Sequence, residues 1–280
     1  MILADFKFLA EVLRRRSGLV LPQHKSHLAE NRLLPVVRRF GFKDVPALIA
    51  ELRHGHEALA EAVTEAMTTN DSAFFRDRKT FEEFRDIVLP ELLMLRAATK
   101  RLRLWCAACA AGQEAYSLAM LLDEAKLAAQ GWSIELIASD INSQMVGRAQ
   151  EGLYSQFEVQ RGLPIRKLVA NFTQEGTHWR IRKELRDMVS FRIFNLLDSP
   201  HWLGELDVVF CRNVLMYFDQ KTRRQVLKSI ARVLKPDGSL LVGPMESLAS
   251  LTEDFVPFEH APGLYFRPRP PLPLLRRAMR

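Results

Sequence analysis

The sequence predicts an α/β protein: a helical N-terminal domain, then a mostly parallel sheet wound with helices and interrupted by a small antiparallel β insertion. Three observations predict it. Residues 1–66 place apolar residues at helical spacing and carry few strand signals. From Arg101 onward, apolar strand-like runs such as Ile134–Asp140 and Leu206–Asn213 alternate with helix-like segments, the pattern of parallel strands joined by crossovers. Between about residues 160 and 194 that rhythm breaks. There Trp179–Ile181 and Met188–Phe194 alternate apolar with polar residues, like antiparallel strands.

The bulk composition narrows the function classes. The chain has 280 residues, enough for two domains, with 48% hydrophobic and 26% charged residues, the balance of a folded globular protein. No uninterrupted apolar run approaches the roughly 20 residues of a membrane span. The opening MILADFKFLAEVLRRR carries Asp5, Lys7 and Glu11 inside its apolar pattern, so it reads as an amphipathic helix and not a signal peptide. A cytoplasmic location is expected, without membrane insertion. Cys106, Cys109 and Cys211 make no disulfide framework. Cys106 and Cys109 form a C-x-x-C without a second zinc-spaced pair or a redox context. They read as two small buried residues at a turn, and no metal site is expected. The net charge of +7 suits an acidic partner, either nucleic acid or an acidic protein surface.

Taken in order, Phe6, Leu9, Val12 and Leu13 share one helical face, and Ser17-Gly18 stops that helix. Lys25 to Phe40 reads as a second helix with a basic face of Lys25, Arg32, Arg38 and Arg39. Pro35 implies a kink there or a helix that begins there, and Gly41 stands at a C′ position. Val45–Arg53 and Glu57–Met67 continue as short helices. Met67–Arg76, MTTNDSAFFR, breaks the pattern; on spacing alone it reads first as a capped helix start, and Phe74 and Phe75 could instead plug it into a core. A helix with Phe81, Phe84, Ile87 and Leu89 follows, so residues 67–92 read as a docking linker. Residues 93–280 then form the sheet domain. Asp219 can cap the helix that carries Val226, Leu227, Ile230 and Val233. Lys235-Pro-Asp-Gly238 reads as a tight turn, Ser239–Gly243 as a strand, and Phe255–Phe258 with Gly263–Phe266 as closing strands. The Pro- and Arg-rich tail from Arg267, about 268–280, is expected to be extended or disordered.

Trp105–Ser117, WCAACAAGQEAYS, is the centre of the chemistry. A strand-like run precedes it, small residues fill Cys106 to Gly112, and an apolar helix-like run follows. Strand, small-residue turn and helix let a nucleotide approach the backbone and the free N–H groups of the helix. The single glycine is not a dinucleotide fingerprint. In an open α/β sheet ligands bind at the carboxyl ends of strands. Those ends carry Cys106–Gly112, Asp140, Asn195 and Cys211–Asn213. An acid at the end of the second strand can accept both hydroxyls of a ribose. The missing glycine fingerprint and the later Lys235-Pro-Asp-Gly238 turn point away from NAD and toward S-adenosylmethionine.

The motifs together resemble the chemotaxis receptor methyltransferase (CheR) family of protein-glutamate O-methyltransferases. The carrying segments are TTNDSAFFRD (Thr68–Asp77), WCAACAAGQEAYSLAM (Trp105–Met120), ASDIN (Ala138–Asn142), FNLLD (Phe194–Asp198), FCRNVLMYFD (Phe210–Asp219), LKPDG (Leu234–Gly238) and GPMES (Gly243–Ser247). The resemblance implies a Rossmann-like S-adenosylmethionine-dependent methyltransferase domain behind a receptor-recognition domain. It implies that Asn70, Ser72 and Arg76 face the cofactor, with Arg76 near the transferred methyl. It further implies that Glu114 receives the methionine ammonium, Asp140 the ribose, and Asn195 and Leu196 the adenine. Cys211 and Arg212 would flank the cofactor by backbone, and Tyr217 would stand near the methyl. Arg32, Arg38 and Arg39 would dock the acidic helical bundle of a chemoreceptor. S-adenosylhomocysteine is the expected product.

The chain also departs from the family pattern. Ser72 replaces a common Thr and keeps the hydroxyl. Gly243-Pro-Met-Glu replaces the commoner Gly-His-Ser-Glu, which alters the wall near the substrate. The hairpin around Gln174–His178 is short, so no receptor pentapeptide tether is expected, and the protein is expected to be a monomer. Two other readings compete: a non-catalytic module that senses S-adenosylmethionine or its product, and a methyltransferase of another acidic protein. Base methylation in nucleic acid would call for Asn/Asp-Pro-Pro-aromatic where Arg212-Asn213-Val214-Leu215 stands. A nucleic-acid partner is therefore not expected.

Overall fold

The computed structural model describes residues 1–248, 251–258 and 265–269. Four helices form the N-terminal domain: α1 (Leu3–Ser17), α2 (Ser26–Phe40), α3 (Val45–Leu52) and α4 (Glu57–Met67). Their inward faces bury Leu9, Leu13, Leu33, Leu48, Ile49, Leu59 and Val63 in one apolar cluster. Asp44 caps α3 by accepting the Ala47 N–H at 2.9 Å. α2 begins at Ser26 and runs through Pro35, so no helix starts at the proline; Gly41 ends it in the left-handed region at φ 73°.

The linker enters the sheet domain on its paired phenylalanines, the alternative to a capped helix start: Asp77, before the next helix, makes no side-chain cap. Phe74 is fully buried, edge-on to Tyr154 at 5.0 Å and Phe172 at 5.5 Å. The helix that follows is α5 (Arg78–Glu83), a widened π turn at Phe84–Val88, and α6 (Leu89–Leu95). Pro90 has no N–H for the carbonyl four residues back, and the widened turn lies where that bond is missing.

The sheet domain then alternates. Its elements are β1 (Arg101–Ala107), α7 (Gln113–Glu124), β2 (Ser133–Asp140), α8 (Ser143–Glu151), β3 (Leu153–Ser155), α9 (Gln156–Gln160), α10 (Ile165–Asn171), β4 (Phe172–Glu175), β5 (His178–Ile181), α11 (Lys183–Asp187), β6 (Val189–Ile193), β7 (Leu206–Cys211), α12 (Gln220–Val233), β8 (Leu234–Leu241), β9 (Phe255–Pro257) and β10 (Tyr265–Pro268). Among the described residues the main sheet has seven strands in the order β6-β2-β1-β7-β8-β10-β9, and a second sheet has three, β3-β5-β4. The first five of the main sheet are parallel; β10 and β9 close it antiparallel. All six residues of β7 are buried, which explains its continuous apolar run.

Three expectations need correction. Met188–Phe194 is not an antiparallel strand of the insertion: β6 pairs parallel with β2 at the edge of the main sheet. An edge strand covered mainly on one face alternates whatever its direction, and here Val189 and Phe191 are buried while Ser190 and Arg192 are exposed. The antiparallel sheet instead starts earlier, at Leu153. Lys235-Pro-Asp-Gly238 does not join two elements but lies inside β8, where the pairing with β7 slips between Leu206–Leu234 and Val208–Ser239. At the other end of the chain, Arg267 and Pro268 belong to β10; the rest of the expected tail, 270–280, lies outside the described residues. Among the described residues no helix is long and apolar enough to cross a membrane.

Candidate active site

The strand order reverses between β1 and β7, which opens a crevice at their carboxyl ends. The turn after β1 lines it with bare backbone. Ala108 and Ala110 take positive φ of 56° and 48°, conformations that β-branched and bulky side chains resist most. The turn is tied to β2: Cys109 N–H donates to the Ser139 carbonyl at 2.9 Å and Ala110 N–H to Asp140 Oδ2 at 2.8 Å. Gly112 closes it at φ 90°, where a Cβ would stand 2.9 Å from the Ala149 Cβ. Only glycine permits that turn with α8 so close.

Glu114 lies in the first turn of α7, where the helix dipole favours a negative charge. Its carboxylate accepts from Arg212 and, at 3.3 Å, from the Cys106 thiol. Burial, reinforced by Glu114, pushes the Cys106 thiol well up, so it stays protonated. The three cysteines are free. Asp140 is buried at the end of β2. Its second oxygen, Oδ1, accepts the Asn142 N–H at 2.9 Å. Burial raises its pKa above the ordinary aspartate value, opposed by these backbone donors.

Arg212 is turned inward, a role its sequence position did not suggest. Its side chain is fully buried and donates to Glu114, to Asp77 Oδ2 at 2.7 Å and to the Arg76 carbonyl at 2.9 Å. Its guanidinium also lies 5.4 Å from the centroid of Phe81. One arginine thus binds the linker to α7 from the end of β7. The fork of the guanidinium suits this, because two carboxylates and a carbonyl offset its desolvation. Cys211, by contrast, turns its side chain into the apolar cluster under α12 and does not line the crevice.

Beyond Arg212 the loop is held by Glu246. Its Oε2 accepts the N–H groups of Asn213 and Gly243, each at 2.8 Å, and its Oε1 that of Met216 at 3.3 Å. This grip sets the turn that carries Tyr217. Arg76 donates to the Asp71 carbonyl at 2.8 Å, with the Asp71 carboxylate 3.6 Å away. Arg161 of the insertion holds that carboxylate at 2.9 Å.

The crevice is a cleft of about 940 Å³, open solvent at its mouth included. Asn70, Ser72, Arg76, Glu114, Asp140, Asn195, Leu196, Arg212 and Tyr217 all line it. So do Ser17 and Leu19 from the helical domain, which no motif had marked. Asp77 and Glu246 were also unassigned, although both stand inside the recognised segments. Of the basic residues on α2, Arg32 donates to the carbonyls of Met67 and Thr68 at 2.9 and 3.1 Å, so it holds the linker. Arg38 and Arg39 are exposed.

The family model described as "CheR methyltransferase, SAM binding domain" matches residues 70–263, and that of the CheR all-alpha domain matches 4–68. The chain belongs to the CheR methyltransferase family. Among its relatives, chemotaxis protein methyltransferase 1 of Pseudomonas aeruginosa is 37% identical over 94% of this chain and 97% of its own length. The chemotaxis protein methyltransferase of Escherichia coli is 33% identical over 90% and 87%. A glycopeptide N-methyltransferase, MtfA, solved with S-adenosylmethionine, is 14% identical over 59% of this chain and 53% of its own, at TM-score 0.34. As a CheR methyltransferase the chain uses S-adenosylmethionine. The lining fits that cofactor's ammonium, sulfonium and ribose diol: Glu114 and Asp140 present two carboxylates to the cleft. Each Asp140 oxygen accepts a bond from a backbone N–H, and a carboxylate offers about four acceptor sites in all.

Proposed function

We propose that the chain transfers the methyl group of S-adenosylmethionine to glutamate side chains on the cytoplasmic helices of chemoreceptors, forming methyl esters. The observation that carries this reading is the joint lining of one cleft by Arg76 and Tyr217 with Glu114 and Asp140. A cation and a phenol thus stand in the same cleft as two carboxylates. S-adenosylmethionine supplies the methyl group, activated by its sulfonium. Glu114 would hold the ammonium and Asp140 the ribose, with Asn70, Ser72, Asn195 and Leu196 along the rest of the cofactor. The acceptor glutamate is ionised at neutral pH, so the chain needs no general base. Arg76 would attract and hold that carboxylate, and the Tyr217 hydroxyl would donate a hydrogen bond that orients it. The surrounding walls strip water from it. Exposed Arg38 and Arg39 on α2 suit the acidic face of a receptor bundle.

The test is transfer of labelled methyl groups to a panel of chemoreceptor cytoplasmic fragments, scored as base-labile label released as methanol. Label on a receptor is expected, and Tyr217→Phe is expected to slow transfer roughly tenfold, the cost of one transition-state hydrogen bond. Its S-adenosylhomocysteine affinity should stay close to that of the unaltered chain. Cofactor binding without label on any receptor would mean another acidic acceptor or a sensing module.

A further inference from the structure

Two residues of the cleft are held from outside the sheet domain. After Ser17, Gly18 turns the chain at φ 76°, and the next residues run along the cleft. The Arg16 carbonyl accepts the Asn195 Nδ2 at 2.6 Å. Leu19 pairs antiparallel with Phe218, and the Val20 N–H donates to the Tyr217 carbonyl at 2.9 Å. Ser17 and Leu19 contribute lining. A Cβ on Gly18 would stand 2.8 Å from Thr222 Cγ2 and 3.2 Å from both Leu197 Cδ2 and Phe218 Cδ1. The segment therefore fits tightly against the loop after β6, the loop after β7 and the start of α12. It joins the backbone of Tyr217 to the side chain of Asn195.

We infer that the strap Arg16–Val20 is a positioning element of the methyl-transfer site, which sets Tyr217 and Asn195 and completes the cofactor wall. The helical domain is then a working part of the cofactor site as well as a docking surface. None of the strap residues reacts; they act through Tyr217 and Asn195. The inference rests on the proposed methyl transfer for its rate effect, and on cofactor binding alone for the rest.

Val20 isolates the effect. The residue is 42% exposed, and the contact it makes with the loop after β7 is its N–H to the Tyr217 carbonyl. Leu19 is already paired as extended backbone, the conformation proline imposes on the residue before it. Val20→Pro removes the donor, and Val20→Ala keeps it. Val20→Pro is expected to raise the Kd for S-adenosylhomocysteine and lower kcat with a receptor fragment, each by a factor of about two to ten, the range of one net hydrogen bond. Val20→Ala, the conservative variant, should restore both. A merely structural role would lower the melting temperature of Val20→Pro while Kd and kcat per folded molecule match those of Val20→Ala; that result would overturn the inference. If even the unaltered chain labels no receptor, the acceptor assignment fails, and the Kd comparison still decides the strap. Should Val20→Pro not fold, Gly18→Ala puts the same question through the crowding at Thr222. A raised Kd partly relieved by adding Thr222→Ala supports the strap, and an unchanged Kd refutes it.

Discussion

Asp140 is a buried acid whose two oxygens each accept a backbone N–H, from Ala110 and Asn142. Those bonds hold the carboxylate toward the cleft and favour its charged form against the pull of burial. If it binds the ribose, Asp140→Ala abolishes S-adenosylhomocysteine binding, which titration calorimetry reads directly. The pH dependence follows from the same residue. Burial raises its pKa, so on acidification the charged acceptor is lost at a higher pH than an ordinary aspartate would lose it. Affinity is therefore expected to fall, on acidification, at a pH above the ordinary aspartate range. A fall only within the ordinary range would show that another group governs it. Arg212 shows the converse case: a buried cation whose neighbours, Glu114 and Asp77, compensate it. Its interest lies in what it joins, the linker and α7.

At the scale of elements, the opposite end of the sheet carries a second ionic cluster. Asp207, wholly buried at the start of β7, accepts Arg96 Nε at 2.6 Å, Lys235 Nζ at 2.8 Å and the Arg103 N–H at 2.8 Å. Arg96 also forks onto Asp237 at 2.5 and 2.8 Å. The slip inside β8 brings Lys235 and Asp237 to this cluster, which explains the Lys-Pro-Asp-Gly segment without any contact to the cleft. Arg96→Ala is expected to destabilise the fold by about 3 kcal/mol, because it leaves a buried carboxylate with one fewer cation. Urea unfolding measures it; a change within experimental error would show that Lys235 suffices. The hydrogen bond from Arg96 holds Asp237 below the usual aspartate value. A depressed carboxylate stabilises above its unfolded pKa, and that contribution is lost as pH falls through the lower folded value. The variant should lose this part of the acid sensitivity.

At the scale of the whole molecule, the helical domain grips the sheet domain at the loops that form the cleft. The strap holds those after β6 and β7. The end of α4 holds that after β2: Asn142 Nδ2 donates to the Glu65 carbonyl at 3.1 Å, and Ser143 N–H to Glu65 Oε1 at 2.7 Å. Arg32 secures the linker between them. The exposed arginines of α2 are left for a partner. If they dock an acidic receptor helix, Arg38→Glu with Arg39→Glu should raise the KM for a receptor fragment about tenfold at low salt, with the effect shrinking as ionic strength rises. Cofactor affinity should not follow, since neither side chain lines the cleft. An effect insensitive to salt would remove these arginines from docking.

Helical spacing and apolar runs are local properties, so the two-part architecture, the helices of the first domain and the buried strands were legible in the chain itself. Strand ends and turn chemistry marked the turn after β1, Asp140 and Asn195, and the resemblance of the motifs to one family implied Asn70, Ser72, Arg76, Glu114, Leu196 and Tyr217, which line the same cleft. Direction and partnership were not legible. β6 reads like an antiparallel strand because alternation records which face is covered, not which way a neighbour runs. Lys-Pro-Asp-Gly reads like a turn because its side-chain partners, Arg96 and Asp207, lie more than a hundred positions away along the chain for Arg96 and about 28 for Asp207. Arg212 reads as a backbone contact until tertiary packing buries its guanidinium between Glu114 and Asp77. The strap is the clearest case: Ser17-Gly18 is a helix stop in any local reading. Only the fold brings the next residues to Tyr217, since a hydrogen bond depends on distance in space and not along the chain.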